Sequence, residues 1–383
     1  MECKFLSHGL ALSYDQIVRP CCAFTSTTEW NANNHLSQVD LTTWHNSKQI
    51  IKLKDQLEKE IWPDECVKCK NNEKSNNSAS VRLGGANAYK NYKRHDITLE
   101  IRPGSVCNFA CQTCWPSASS RVRDFYRKAN LQSNIPIISN SLNNFDFLLP
   151  IKDQIKDIVV LGGEPFYDKN CLKFFEWMVP YNFKSNLLIF TNGSYIDYNF
   201  IKNYPGTLTL VFSMDAVGKP AEYIRYGTEW DVVLENFNRC KQFDNVKLRV
   251  NITLSTYNYF YLAELISLLI SDWPEVVTFG FASAGENVHT KYMDESLIPM
   301  DCRLPVINSL VDCLKILEDA DIESGQRSHV SNAVDSIITN LKTAEWDKNK
   351  FEKFKNFVST MDQAKNINIK DYCPEVAEMF LLK

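Results

Sequence analysis

From residue 96 onward the chain alternates between short apolar runs and longer stretches of helical period. The runs are Ile97–Ile101, Ile158–Leu161, Leu187–Phe190, Leu208–Ser213, Leu248–Leu254 and Val276–Phe281. Short bounded apolar runs are strand-like. Between them the spacing predicts helices near 117–129, 168–179, 196–203, 230–242 and 259–271. Six such alternations predict a parallel α/β sheet, open or closed into part of a barrel. Sheets of this kind gather ligands at the C-terminal ends of their strands. Residues 301–383 carry apolar positions through Leu304–Leu317 and Val330–Leu341 and read as mostly helical. The first 70 residues have a different character. They hold one expected helix, from about Asn46 to Lys59, with Ile50, Ile51, Leu53 and Leu57 forming an amphipathic stripe. The polar stretch 70–95 reads as a connector.

Composition narrows the class. The 383 residues are 44% hydrophobic and 23% charged, an ordinary globular balance. A net charge of -4 argues against a nucleic-acid-binding surface, KNYKRH at 90–95 being a short basic exception. No run approaches the roughly 18 apolar residues that span a bilayer. The N-terminus lacks the basic start of a secretory signal. A cytoplasmic chain with no membrane partner is expected. Thirteen cysteines are many for such a chain. Five fall between residues 3 and 69 and three between 107 and 114, and clustering of this kind reads as metal or cluster ligation rather than disulfides. The scattered ones, Cys171, Cys240, Cys302, Cys313 and Cys373, read as small buried hydrophobes.

The first predicted strand, ITLEIR, runs into PGSVCNFACQTCWPSASS, in which Cys107, Cys111 and Cys114 follow a C-x3-C-x2-C spacing. Three soft thiolates on one loop suit an iron–sulfur cluster with one iron left open, or a zinc ion completed by a distant Cys or His. The second strand ends in Gly162-Gly163-Glu164-Pro165. Glycines let backbone approach a ligand closely, and carbonyls or the Glu164 carboxylate can accept from an ammonium. The third strand ends in Thr191-Asn192-Gly193 and the fourth in Ser213-Met214-Asp215. Arg225 lies in EYIRYGTEW, where it reads either as a bidentate partner for a carboxylate or as a surface salt bridge. Asn251 and Thr253 alternate with Val250, Ile252 and Leu254 on the fifth strand and so share a face.

Taken in order, CNFACQTCWPSASS, the GGEP turn and the two later strand ends resemble the radical S-adenosylmethionine (SAM) superfamily. The position before the last cysteine, often aromatic there, is Thr113 here, with Trp115 following. The resemblance implies a partial (β/α)6 TIM-like barrel over residues 93–300. It would be preceded by a Cys-rich module and connector (1–92) and followed by a helical region (301–383). It further implies a [4Fe–4S] cluster on Cys107, Cys111 and Cys114 whose open iron takes the amino and carboxylate groups of SAM. Reductive cleavage would then give a 5′-deoxyadenosyl radical that abstracts hydrogen from a substrate. The Gly162–Pro165 turn, Thr191, Asn192, Ser213, Asp215, Arg225 and Asn251 would face SAM, Arg225 pairing with its carboxylate. An external donor such as flavodoxin or ferredoxin would supply the electron.

Cys3, Cys21 and Cys22, and the Cys66-x2-Cys69 knuckle form a second set. Four of them suffice for a closed cluster or a structural zinc. The arrangement resembles the SPASM/twitch auxiliary-cluster module, here ahead of the barrel, and MDQAKNINIKDYCPEVAEMF at 361–380 is similar to the tail of twitch-domain members. That resemblance implies an auxiliary [4Fe–4S] cluster on Cys3, Cys21, Cys66 and Cys69, with Cys22 as the alternative to Cys21. Glu73 and Arg82, just past the knuckle, read as solvated linker residues or as the wall of a substrate path. Three functions follow: radical chemistry on a peptide or protein; the same chemistry on a small metabolite, nucleotide or RNA; or a non-catalytic zinc- or cluster-bound interaction protein.

Overall fold

The computed structural model describes residues 1–74, 80–131, 141–273, 279–283 and 293–381. Its strands are β1 (Gly9–Ser13), β2 (Val18–Arg19), β3 (Ile97–Arg102), β4 (Ile155–Val160), β5 (Asn186–Thr191), β6 (Leu208–Ser213), β7 (Val246–Leu254) and β8 (Phe279–Ser283). They follow in one sheet in the order β2-β1-β3-β4-β5-β6-β7-β8. β1 runs antiparallel to β2 and parallel to β3, β3 and β4 are parallel, as are β4 and β5, and so are β7 and β8. The unbroken run from β3 to β8, with helices between successive strands, is the order of a barrel rather than of a doubly wound sheet, whose strand order reverses. All six expected runs fall in strands, apart from Leu161, one residue past β4, and 276–278, which lie outside the described residues.

Two features depart from the sequence reading. The N-terminal segment contributes two strands beside the expected helix. β1 is five residues long and finds its parallel partner nearly ninety residues later (Gly9 opposite Thr98), so no local pattern announces it. The expected connector also contains two short helices, Val67–Lys74 and Val81–Ala88. The second starts on a Ser80 side chain that accepts the Leu83 amide at 3.2 Å, a cap that substitutes for a long apolar stripe. Just past its end, Tyr89 packs edge-on against Phe5 at 5.0 Å.

The chain divides into two compact units. The first comprises Met1–Ser105, Ile138–Ile189 and Tyr198–Leu208. In it Ile97, Leu99 and Ile101 of β3 are buried and alternate with half-buried neighbours, as a period of two requires. Helix Lys169–Met178 is capped by Asp168 and buries Cys171, Phe174, Phe175 and Met178 at helical spacing. Phe24, Trp30 and Trp44 form an aromatic chain, with centroids 4.3 Å and 6.0 Å apart, and the Trp30 indole donates to the Val18 carbonyl. The second unit comprises Val106–Ile137, Phe190–Asp197 and Thr209–Lys383. Its C-terminal part is helical as expected: Met300–Asp319, Ser324–Thr343, Lys348–Lys365 and Pro374–Met379. Arg303, almost fully buried, joins two of these helices by donating to the carbonyls of Ile298, Leu341 and Ala344. Among the described residues no helix is long and apolar enough to cross a membrane.

Candidate active site

The cysteine loop follows β3 and ends where Ser119 caps helix Ser120–Lys128 by accepting the Val122 amide at 3.2 Å. Ser119 also donates to the Phe109 carbonyl, and Ser120 accepts the Cys107 amide. The helix start thus holds the loop from one side. Within the loop Phe109, Ala110, Gln112 and Thr113 are buried, whereas Cys107, Cys111 and Cys114 are half-buried. The loop's apolar residues anchor it, and burial raises the Cys111 thiol against the opposing pull of Arg225. The segment carrying Arg225 binds it from another side: the Ala110 amide donates to the Tyr226 carbonyl at 2.8 Å and the Gln112 amide to the Ile224 carbonyl at 2.7 Å. Gly227, at φ +108°, completes that contact. A Cβ there would lie 3.1 Å from the Asn108 carbonyl and 3.0 Å from Arg121, so only glycine satisfies both the backbone angle and the space.

Cations surround this loop. Arg121 donates to the Asn108 carbonyl and Arg123 to the Pro116 carbonyl. Arg225 Nη1 lies 3.8 Å from Cys111 Sγ, and its Nε lies 2.9 Å from Asp215 Oδ2. The pair is buried, with side-chain exposures of 12% and 0%, which excludes the surface salt bridge as a reading of Arg225. Burial lifts the Asp215 carboxyl above its usual range, although Arg225 and the Thr253 amide, which donates to Oδ1 at 2.7 Å, pull it down. Lys365 was not anticipated from sequence. It is buried and donates to the Ala110 carbonyl at 2.8 Å and to Gln112 Oε1 at 3.0 Å. Burial pushes its ammonium down to about 7, against the opposing pull of Cys111. Its only sequence signal was its place in the MDQAK segment.

The other strand-end residues of this unit are also built in. Asn192 is buried. Its amide donates to Asn108 Oδ1 at 2.9 Å and approaches Cys107 Sγ at 4.0 Å, while its carbonyl oxygen accepts from Ser194. Thr191 Oγ1 accepts the Gly193 amide at 3.1 Å. Ser213 and Asn251 are half-buried, and the Asn251 backbone carbonyl accepts the Met214 amide.

In the first unit the Gly162–Pro165 turn follows β4. Gly162 and Gly163 are half-buried, and Glu164 and Pro165 are buried. A Cβ on Gly162 would meet Cys171 Sγ at 3.2 Å and the Gly104 carbonyl at 3.6 Å, so the turn sits close upon the segment that leaves β3. The Glu164 carboxylate accepts the Phe166 amide at 3.2 Å, and the Glu164 carbonyl accepts the amides of Tyr167 and Asp168.

The N-terminal cysteines converge. Between Cys3 and Cys21 the chain makes the β1–β2 hairpin, and Cys66 and Cys69 lie at the start of helix Val67–Lys74 and the turn before it. Cys3, Cys21, Cys66 and Cys69 line one cavity with Phe24, Trp62 and Arg82. Burial raises the thiols of Cys3 and Cys21 and pushes that of Cys66 up to about 12, so as free thiols they are neutral. Cys22 is not part of this wall. Its side chain bonds instead to Glu100 of β3, which favours Cys21 as the fourth donor. Glu73 and Arg82 are not solvated linker residues. They pair with Nη2 to Oε2 at 2.5 Å and Nε to Oε1 at 2.9 Å, both side chains under one-fifth exposed, and Arg82 also lies over Trp62.

Among the described residues no three His, Cys, Asp or Glu side chains stand close enough to share one metal ion. Each thiolate of a [4Fe–4S] cube takes an iron of its own, so its donors stand further apart than those of a single ion. In donor chemistry the two sets suit such cubes: three thiols among cations in the β3 loop, and four lining one cavity near Arg82.

No family model and no curated protein matches the chain. Among solved structures it is similar to native anSMEcpe with bound AdoMet, at 17% identity and TM-score 0.41, over 58% of this chain and 62% of that one. It is also similar to Streptococcus suis SuiB bound to S-adenosylmethionine, at 18% identity and TM-score 0.40, over 75% and 62%. SuiB bound to precursor peptide SuiA gives 17% identity and TM-score 0.40, over 73% and 60%. The chain therefore spans about three-fifths of the length of these structures.

Proposed function

We propose that this chain is a radical SAM enzyme with a second, N-terminal iron–sulfur site. The observation that carries the reading is an order. The three-cysteine loop, the GGEP turn, Thr191-Asn192-Gly193 and Ser213-Met214-Asp215 fall at the C-terminal ends of four consecutive strands, β3, β4, β5 and β6. Folds with this topology bind ligands at those ends.

Cys107, Cys111 and Cys114 would hold the SAM cluster and Cys3, Cys21, Cys66 and Cys69 the auxiliary one. When bound, the SAM cluster supplies the electron that splits SAM into methionine and a 5′-deoxyadenosyl radical. The chain's own residues bind and orient. The Gly162–Pro165 turn offers backbone to the SAM amino group, and Thr191, Asn192, Ser213 and Asn251 offer polar groups to its ribose and methionine portions. Arg225, held by Asp215, offers a guanidinium edge to the carboxylate. The thirteen free cysteines suit a reducing cytoplasm, with a flavodoxin or ferredoxin as donor. The SPASM/twitch-like N-terminal arrangement supports a peptide or protein substrate ahead of a small metabolite, nucleotide or RNA.

The test is anaerobic reconstitution with iron and sulfide, counting both per chain, followed by an assay for 5′-deoxyadenosine with dithionite and SAM. About eight irons with 5′-deoxyadenosine formed is the expected result. About four irons with product keeps the enzyme and makes the N-terminal site a zinc or structural one. Retained zinc with no iron and no SAM cleavage refutes the reading in favour of a metal-stabilised interaction protein.

A further inference from the structure

Helix Lys348–Lys365 stops at Asn366, whose backbone is left-handed (φ 56°, ψ 50°). This termination leaves Lys365 in the last turn, from which its side chain enters the protein and is 4% exposed as a residue. Its two hydrogen bonds, to the Ala110 carbonyl and to Gln112 Oε1, reach the residues immediately before and after Cys111. Its ammonium lies 5.1 Å from the centre of the Tyr226 ring, a contact that favours the cation. Tyr226 closes the circuit: its hydroxyl donates to the Lys365 carbonyl at 3.1 Å, and its own carbonyl accepts the Ala110 amide.

Both acceptors of the ammonium are neutral. The nearest carboxylate on its own helix, Asp362, accepts from the Tyr223 hydroxyl at 2.7 Å and the Ile369 amide at 2.8 Å. Arg225 already has a counter-ion in Asp215. The Tyr223 and Ile369 donors are neutral and leave the Asp362 charge in place, so Asp362 and Lys365 attract each other. Burial and Arg121 disfavour the charged ammonium, whereas Cys111, Asp362 and Cys114 favour it.

Resting on the proposed function, we infer that Lys365 is a positioning residue for the β3-loop cluster. It clamps Cys111 from both flanks and supplies positive charge that the thiolate-bound cluster balances. A positive charge beside a cluster favours its more negative, reduced form. Loss of that charge therefore lowers the midpoint potential, an effect that a purely packing role does not produce.

The experiment compares the reconstituted full chain with Lys365→Met and Lys365→Arg. Iron and sulfide are counted, and the cluster whose EPR signal responds to added SAM is titrated potentiometrically. For Lys365→Met the reduction equilibrium is expected to weaken about tenfold, a fall of about 59 mV for a one-electron couple, with Lys365→Arg close to the unchanged chain. Normal loading with an unshifted midpoint in Lys365→Met overturns the inference. If Lys365→Met loses the SAM-responsive cluster, recovery in Lys365→Arg supports it, and no recovery assigns Lys365 to packing alone and overturns it. An unsubstituted chain that takes up no iron refutes the proposed function itself, and this inference with it.

Discussion

Replacing Arg225 by alanine isolates the electrostatics of the β3 loop. The substitution strands Asp215, whose side chain is fully buried and whose Oδ2 lies 2.9 Å from Arg225 Nε. Removing one partner of a buried pair typically costs about 3–5 kcal/mol. The carboxyl has one escape, which is to take up a proton. It is already raised by burial, with Arg225 the largest influence pulling it down, so loss of Arg225 raises it further. The unfolded carboxyl ionises near 3.9. Between that value and the raised folded value the native state binds the extra proton, so stability falls as pH rises, by up to about 1.4 kcal/mol per unit. Asp215 is raised in the unsubstituted chain as well and is raised further in the variant, so in urea unfolding of the metal-free, reduced chain the cost of Arg225→Ala grows as pH rises, towards about 3–5 kcal/mol where the stranded carboxyl ionises. Arg225→Ala/Asp215→Asn removes the stranded charge. It is expected to recover most of the loss and to flatten the pH dependence. A cost that does not change with pH, or a double variant as unstable as the single one, would refute this account of the pair.

Replacing any one of Cys107, Cys111 or Cys114 by alanine is expected to abolish SAM cleavage, and 5′-deoxyadenosine formed at the normal rate by any of the three would remove that residue from the ligand set. Changing Cys66 and Cys69 together to alanine should lower the iron count from about eight to about four while leaving the SAM-responsive EPR signal in place; an unchanged count would show that the N-terminal cavity holds no cluster. Gly104→Ala drives a methyl to within 2.2 Å of Asp168 Oδ2, the cap of helix Lys169–Met178. Overpacking and a disturbed cap together predict a loss of about 2–4 kcal/mol, measured by urea unfolding, and a denaturation midpoint equal to that of the unsubstituted chain would contradict it.

The barrel-like part was legible because its strands are apolar runs that need only local pattern. Each of the six runs lies in a strand apart from Leu161 and 276–278, and four of those strands deliver the motifs at their ends. The helical tail was legible for the same reason. What local pattern missed is long-range. β1 pairs with a strand nearly ninety residues away, and Glu73 with Arg82 reads as ordinary polar sequence until the chain folds the two together. Lys365 is hardest of all, since 251 residues separate it from Cys114 and nothing in its neighbourhood marks it as buried. The bond from Cys22 to Glu100 is likewise long-range, since Glu100 is remote in sequence.

The pairing of β1 with β3 sets an order of events during synthesis. β1 has no parallel partner until the chain has been made through Arg102, and its antiparallel contact with the two-residue β2 is too small to persist alone. At roughly 5–20 residues per second, the cysteines at positions 3, 21, 22, 66 and 69 are made seconds before β3. During that interval they are unassembled thiols on a nascent chain, open to oxidation and to adventitious metals. Closing so long a loop is slow and entropically costly. On the proposed function, expression that outpaces cluster delivery should therefore yield chains damaged at the N-terminal cysteines first, and slow, cool, iron-replete expression should preserve them.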